Sequence, residues 1–133
     1  MLLVQTKLGK SKKHKTGLLA NQFIPKGTVT WKYHPLFDSA FTDKEISKMS
    51  EAARKQFWHY AFFYKKINKH VLCFDDQRFI NHSAKKKDIN ILSTPSKDIA
   101  LRDIKIGEEL LCDYDQFDNS YFDRINLDRS KLL

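Results

Sequence analysis

With 133 residues, 41% of them hydrophobic and 13% aromatic, the chain is long enough to bury one core and ordinary in composition for a globular protein. Two cysteines, Cys73 and Cys112, exclude a multi-bridge disulfide framework and a four-cysteine zinc site, and free thiols are expected. The net charge of +8 suggests a nucleic-acid binder, but it is polarised: residues 1–70 carry 14 Lys and Arg against 4 Asp and Glu, residues 71–133 carry 10 against 12.

In chain order, the opening MLLVQTKLGK has only three consecutive apolar residues after Met1, too few for a signal-peptide core. No window approaches a membrane span, so an intracellular protein with no membrane contact is expected. A single domain over 1–133 is expected, without linkers. Short β-branched or aliphatic runs bounded by turn residues predict strands at 17–20, 28–33, 71–74, 89–92, 99–102 and 109–112. Between the second and third of these, Thr42-Asp43-Lys44-Glu45 is a capping box. Ile46, Met49, Ala53, Phe57, Tyr60, Ala61 and Tyr64 then recur at helical spacing, predicting a helical insert over about 42–67 with a break near Ser50. Two segments resemble each other, Ile24-Pro-Lys-Gly27 and Ile104-Lys-Ile-Gly107, and each predicts a tight turn whose glycine takes positive φ.

Several tempting sites fail on inspection. Asn81-His82-Ser83 fits a glycosylation acceptor, but that chemistry needs a secreted chain. The acidic stretch from Asp113 to Asp123 would put Phe117 at a calcium-ligand position and Asp118 where the loop demands glycine. His70 and Cys73 make only half a zinc site. Three basic runs, around Lys7 to Lys15, Lys65 to Lys69 and Lys85 to Lys87, fit solvated faces as well as a nucleic-acid contact.

Three segments remain: KTGLLANQFIPKGTVTWKYH at 15–34, RFINHS at 78–83 and IGEELLCDYD at 106–115. In this order and spacing they resemble the blocks of SET-domain lysine methyltransferases, over nearly all of the chain from Lys15 to about Phe122. The resemblance implies a mainly β fold, a β-clip-like assembly of several small sheets with a helical insert, a C-terminal knot-like crossing and a flanking segment over 116–133. It implies S-adenosylmethionine (AdoMet) as methyl donor, S-adenosylhomocysteine as product and a lysine side chain as acceptor.

Residue by residue, the resemblance places Asn81 on the methionine part of the cofactor, where it would donate and accept hydrogen bonds, and the backbone around His82 on the adenine. Lys15, Thr16 and Gly17 stand where the family usually reads Gly-x-Gly, with Lys15 replacing the first glycine. Tyr60 matches a tyrosine near the cofactor carboxylate or sulfonium, although a core aromatic on an amphipathic helix would look the same. Arg78 would pair with the cofactor carboxylate or with a nearby acid. Tyr114 would stand beside the transferable methyl, and Tyr33 would line the lysine channel, unless it merely ends a strand at the surface. Cys112 occupies a position where the family carries Phe or Tyr, and its small size would leave room for di- or trimethylation. The zinc-binding cysteine cluster that many members carry is missing, so no metal is expected and Phe117, Tyr121 or Phe122 would close the channel.

The function implied is methylation of a lysine in a basic protein, a histone or a ribosomal protein, in the nucleus on chromatin or otherwise in the cytoplasm. Asp113, Asp115, Asp118 and Asp123 near the channel mouth would favour such a substrate. The basic N-terminal half would touch nucleic acid, and a homodimer would cover apolar surface around the channel. The alternative is a non-catalytic SET-like or basic nucleic-acid or chromatin-binding module.

Overall fold

The computed structural model describes all 133 residues. Ten short strands form four small sheets, joined by three α-helices and single-turn 3-10 segments. No helix is long and apolar enough to cross a membrane.

Strands β1 (Thr6–Lys10) and β2 (Thr16–Ala20) pair antiparallel. The turn between them is held by Ser11 Oγ, which accepts from the Lys13 and His14 N–H groups at 2.8 and 3.0 Å. It closes through Lys15 in the left-handed region, φ 42°. A second sheet has the order β3-β9-β8, all antiparallel, from Val29–Lys32, Lys97–Ala100 and Ile91–Ser93. Its β3–β9 register slips between Val29 and Trp31, a bulge that sets Trp31 opposite Asp98.

The insert follows β3. Strand β4 (Ser39–Phe41) leads into α1 (Asp43–Ser47), where Thr42 and Glu45 form the capping box, Thr42 Oγ1 accepting from Glu45 N–H and Glu45 Oε2 from Thr42 N–H. The helix stops at Lys48 and Ser50 caps a new one, α2 (Glu51–Tyr60). The expected helix through Tyr64 ends early, because Ala61 is extended and β5 (Phe62–Tyr64) pairs with β6 (Lys69–Leu72) in a sheet of order β4-β6-β5. Aromatic residues suit a half-buried pleat, and strand pairing overrides the helical periodicity there.

The last sheet joins β7 (Asn81–His82) and β10 (Leu111–Cys112) in parallel, which requires a crossover. That crossover is β8 and β9. Asn90 fastens it: buried, it donates from Nδ2 to the Glu109 carbonyl and accepts the Leu111 N–H at Oδ1, both at 2.8 Å. Helix α3 (Tyr121–Arg124) lies in the C-terminal segment.

The two similar turns face each other. Ile24 and Ile104 exchange N–H···O=C bonds at 2.9 Å in both directions, while Gly27 and Gly107 take φ of 84° and 87°. Both isoleucines belong to a core of Leu18, Ala20, Ile80, Ile91, Ala100, Leu110 and Cys112. Each fully buried Leu or Ile contributes about 1.5–3 kcal/mol by leaving water. This core fixes Ile80 and Cys112, and with them the two strands that carry the motifs.

Candidate active site

Asn81 emerges from the core on β7 with its side chain already engaged. Its Nδ2 donates to the Thr16 carbonyl and to Glu109 Oε1, both at 2.9 Å, so β2, β7 and the segment leading into β10 meet at one amide. Gly17 makes this closeness possible, since a β-carbon there would stand 2.2 Å from Glu109 Oε1. With both amide protons used inside the protein, Oδ1 alone is left to face a ligand, which narrows the expected donor-and-acceptor role to an acceptor.

His82 accepts the Tyr114 N–H at Nδ1, 3.2 Å away, so the proton of the neutral ring sits on Nε2. Burial holds the imidazole below its usual pKa, against the pull of Asp113 at 3.7 Å, and the ring is neutral at pH 7. Tyr114 turns its hydroxyl onto the Ile80 carbonyl at 2.5 Å, and burial pushes the phenol well above 10. The ring is wedged among His82, Phe117, Tyr121 and Phe122, with centroids 4.8–5.8 Å away.

The C-terminal segment is pinned over this site by one buried ion pair. Asp118 Oδ2 accepts from Arg124 at 2.8 Å and from the Phe63 N–H at 2.9 Å, and Tyr121 donates to the His59 carbonyl at 2.6 Å. Burial would raise the Asp118 pKa, but the bonds from Arg124, Phe63 and Ser120 outweigh it and the carboxyl titrates below its ordinary value.

Two cavities flank Tyr114. One is a narrow cavity of about 50 Å³ with Trp31, Phe62, Cys73, Ile80, Phe117 and Asp98 in its walls. The other is an open groove of about 870 Å³ bordered by Lys15, Thr16, Asn81, His82, Phe79 and Phe122. Six residues line both: His59, Tyr60, Arg78, Ile80, Tyr114 and Tyr121. The cavities therefore share a wall that includes Tyr114.

Lys15, Thr16, Tyr60, Arg78, Asn81 and His82 all border the groove, and Phe117 and Tyr121 line the narrow cavity. Two expectations need correction, and a third is narrowed. Tyr33 lies beyond the end of β3 and is not in the lining; its ring packs edge-on against Tyr64, 5.4 Å away, and Trp31 lines the cavity instead. Cys112 is fully buried in the core beside Ser93 and lines neither cavity. Arg78 finds no acid and donates to the Phe74 and Asp75 carbonyls, so of its two expected partners only the cofactor carboxylate is left.

The acidic C-terminal third is also largely neutralised. Asp118 is spent on Arg124 and Asp115 on Arg129, which leaves Asp113 and Asp123 to meet a basic substrate. The basic runs at Lys65–Lys66 and Lys85–Lys87 are exposed. No three His, Cys, Asp or Glu side chains converge as a metal site would need.

The family model described as SET domain matches residues 15–115. The chain belongs to the SET-domain family. No curated protein sequence matches it. Among solved structures, an apo ctPRC2 with two substitutions in Ezh2 superposes with a TM-score of 0.65 at 26% identity, covering 91% of this chain and 16% of that one. An autoinhibited ctPRC2 bound to S-adenosylmethionine gives 0.62 at 25% identity, covering 86% and 16%. The Chaetomium thermophilum polycomb repressive complex 2 gives 0.60 at 24% identity, covering 84% and 15%. The chain thus spans about one sixth of the length of these proteins.

In this SET domain, Trp31, Phe62, Gln77, Ser93 and Asp98 escaped the sequence reading although they line the narrow cavity. One signal was available. In Lys97–Ala100 alternate residues point inward, and the burial pattern puts Asp98 on the same inward face as Ala100, where an acid is out of place.

Proposed function

We propose that this SET domain is a protein-lysine N-methyltransferase that uses AdoMet and acts on a basic chromatin protein, most directly a histone tail. The observation that carries this reading is the place of Tyr114 in the wall of both a wide groove and a narrow aromatic cavity. The AdoMet-bound ctPRC2 structure supports the cofactor class, and another similar structure, ctPRC2 in complex with H3K27me3, supports the substrate class and a place on chromatin.

The residues of the groove fit AdoMet. Asn81 keeps Oδ1 free as an acceptor for an ammonium. Trp58, Tyr60 and Phe79 offer aromatic rings for an adenine, and Lys15, Lys55, Arg78 and Lys131 make no ion pair with an acid and suit a carboxylate. AdoMet supplies a methyl group activated by its sulfonium.

The chain's own residues do the rest. A lysine with an unperturbed pKa of about 10.4 is charged at pH 7.4, and making it neutral costs about 4 kcal/mol. The apolar wall of Trp31, Phe62, Ile80 and Phe117 disfavours the ammonium by withholding water. Tyr114, with its hydroxyl proton committed to Ile80, keeps oxygen lone pairs at the junction to align the amine. Tyr121 and Phe117, held by the Asp118–Arg124 pair, exclude water there.

The test is transfer of label from AdoMet to core histones and ribosomal proteins by the wild-type chain, Tyr114→Phe and Asn81→Ala. Label on a lysine that both variants lose is expected. A wild-type chain that fails to bind AdoMet in calorimetry would overturn the reading and leave the non-catalytic alternative.

A further inference from the structure

The narrow cavity is apolar except for one cluster. Asp98 is 3% exposed, and its Oδ2 accepts from Gln77 Nε2 at 2.6 Å. Around it three buried polar atoms have no hydrogen-bond partner: Gln77 Oε1, Trp31 Nε1 and Ser93 Oγ, the last beside both Asp98 and Cys112. All four residues line the cavity that ends at Tyr114. Buried polar atoms without partners are rare, and several facing one cavity call for a ligand or water there. A water needs about 10–15 Å³ and two or more polar partners, and about 50 Å³ among these groups meets both conditions.

We infer that Asp98 takes the proton of the substrate lysine in the narrow cavity, relayed by water held among Trp31, Gln77 and Ser93. The inference rests on the methyltransferase reading and adds a base to it. The ammonium N–H bond breaks, the proton moves through the relay to an Asp98 oxygen, and the carboxylate becomes a neutral acid. The freed nitrogen lone pair forms the N–C bond as the S–C bond breaks and its electron pair stays on sulfur. Asp98 returns its proton to solvent when the methylated lysine leaves.

The surroundings suit this role. Burial pushes the Asp98 carboxyl up to about 7, against the hydrogen bond from Gln77, the neighbouring Ser93 hydroxyl and the distant Met1 amino group. This closes roughly half of the gap in proton affinity between an ordinary aspartate, about 3.9, and a lysine, about 10.4. In a poorly solvated cavity a neutral acid and a neutral amine are favoured over an ion pair, which closes more of it. Of the other titratable groups around Asp98, the Cys73 and Cys112 thiols stay protonated through burial, as do the Tyr114 and Tyr121 phenols, burial holds the His59 imidazole below its usual value, and Arg78 is bound to carbonyls.

The experiment is the pH–rate profile of methyl transfer from AdoMet to core histones, for the wild-type chain and Asp98→Asn. The wild-type rate is expected to rise through pH 7, as Asp98 ionises. Asp98→Asn should lose about 100-fold near neutrality, lack that rise, bind AdoMet as before, and recover toward pH 10 as solvent deprotonates the lysine. Gln77→Leu removes a bond that lowers the carboxyl, so the rise should move to higher pH; this variant tests the inference even if Asp98→Asn fails to fold. An Asp98→Asn enzyme with the wild-type profile, or one slowed equally at every pH, overturns the inference and leaves the methyltransferase reading standing. A wild-type chain that binds no AdoMet overturns both.

Discussion

Gly17 lies so close to Glu109 that a β-carbon on it would stand 2.2 Å from the glutamate Oε1, and that same oxygen accepts from Asn81. Position 17 therefore sets the distance between β2 and the segment that leads through β10 to the Asp-Tyr pair. Gly17→Ala should push Glu109 away, release Asn81 and cost about 1–3 kcal/mol by overpacking. Calorimetry should show AdoMet affinity reduced about tenfold or more while far-ultraviolet circular dichroism is kept; unchanged affinity would mean that the glutamate yields without cost.

Tyr114→Phe removes only a hydroxyl, but leaves the Ile80 carbonyl without its partner. A loss of about 1–3 kcal/mol in stability is expected for the orphaned acceptor. Methyl transfer should fall about 100-fold, because the ring stays in place and the alignment at the junction is lost. Thermal melts and single-turnover rates on the same preparation separate the two effects.

Cys112→Phe tests whether residue 112 governs the degree of methylation. A fully buried side chain in the core has no room for a ring, so the variant should lose about 1–3 kcal/mol or rearrange. Mass spectrometry of the product should show no shift toward monomethyl-lysine. A stable variant with a shifted product would restore the channel role of this position.

Asp118→Ala removes one partner of a buried pair and should cost about 3–5 kcal/mol. The bonds from Arg124, Phe63 and Ser120 depress the folded-state carboxyl, so its contribution is complete above the unfolded pKa of about 3.9 and is lost as pH falls below it. Urea titrations between pH 7 and pH 3 should show wild type and variant converging at the acid end.

The fold was legible where backbone chemistry is written locally. The capping box, the break at Ser50 and the two Ile-to-Gly turns rest on interactions between near neighbours in sequence. Strand β1, with its Lys-rich TKLGK, and β5, inside an apparent helix, are made by their pairing partners and leave little local trace. The groove was legible because its motif residues sit on β2 and β7 at fixed register. The narrow cavity was not, because its walls, Trp31, Phe62, Gln77, Ser93 and Asp98, come from five separate segments that only tertiary packing brings together.

Lys15 holds φ 42° at the rim of the groove, a conformation that costs a residue with a side chain about 1 kcal/mol and a glycine almost nothing. The chain thus carries strain at the spot where a positive charge can reach a bound carboxylate. Lys15→Gly would relax the turn and remove the charge in one step, so robustness and ligand retention pull in opposite directions at this residue. Selection for heat resistance alone would be free to discard the lysine, whereas selection for turnover at scarce cofactor would keep it.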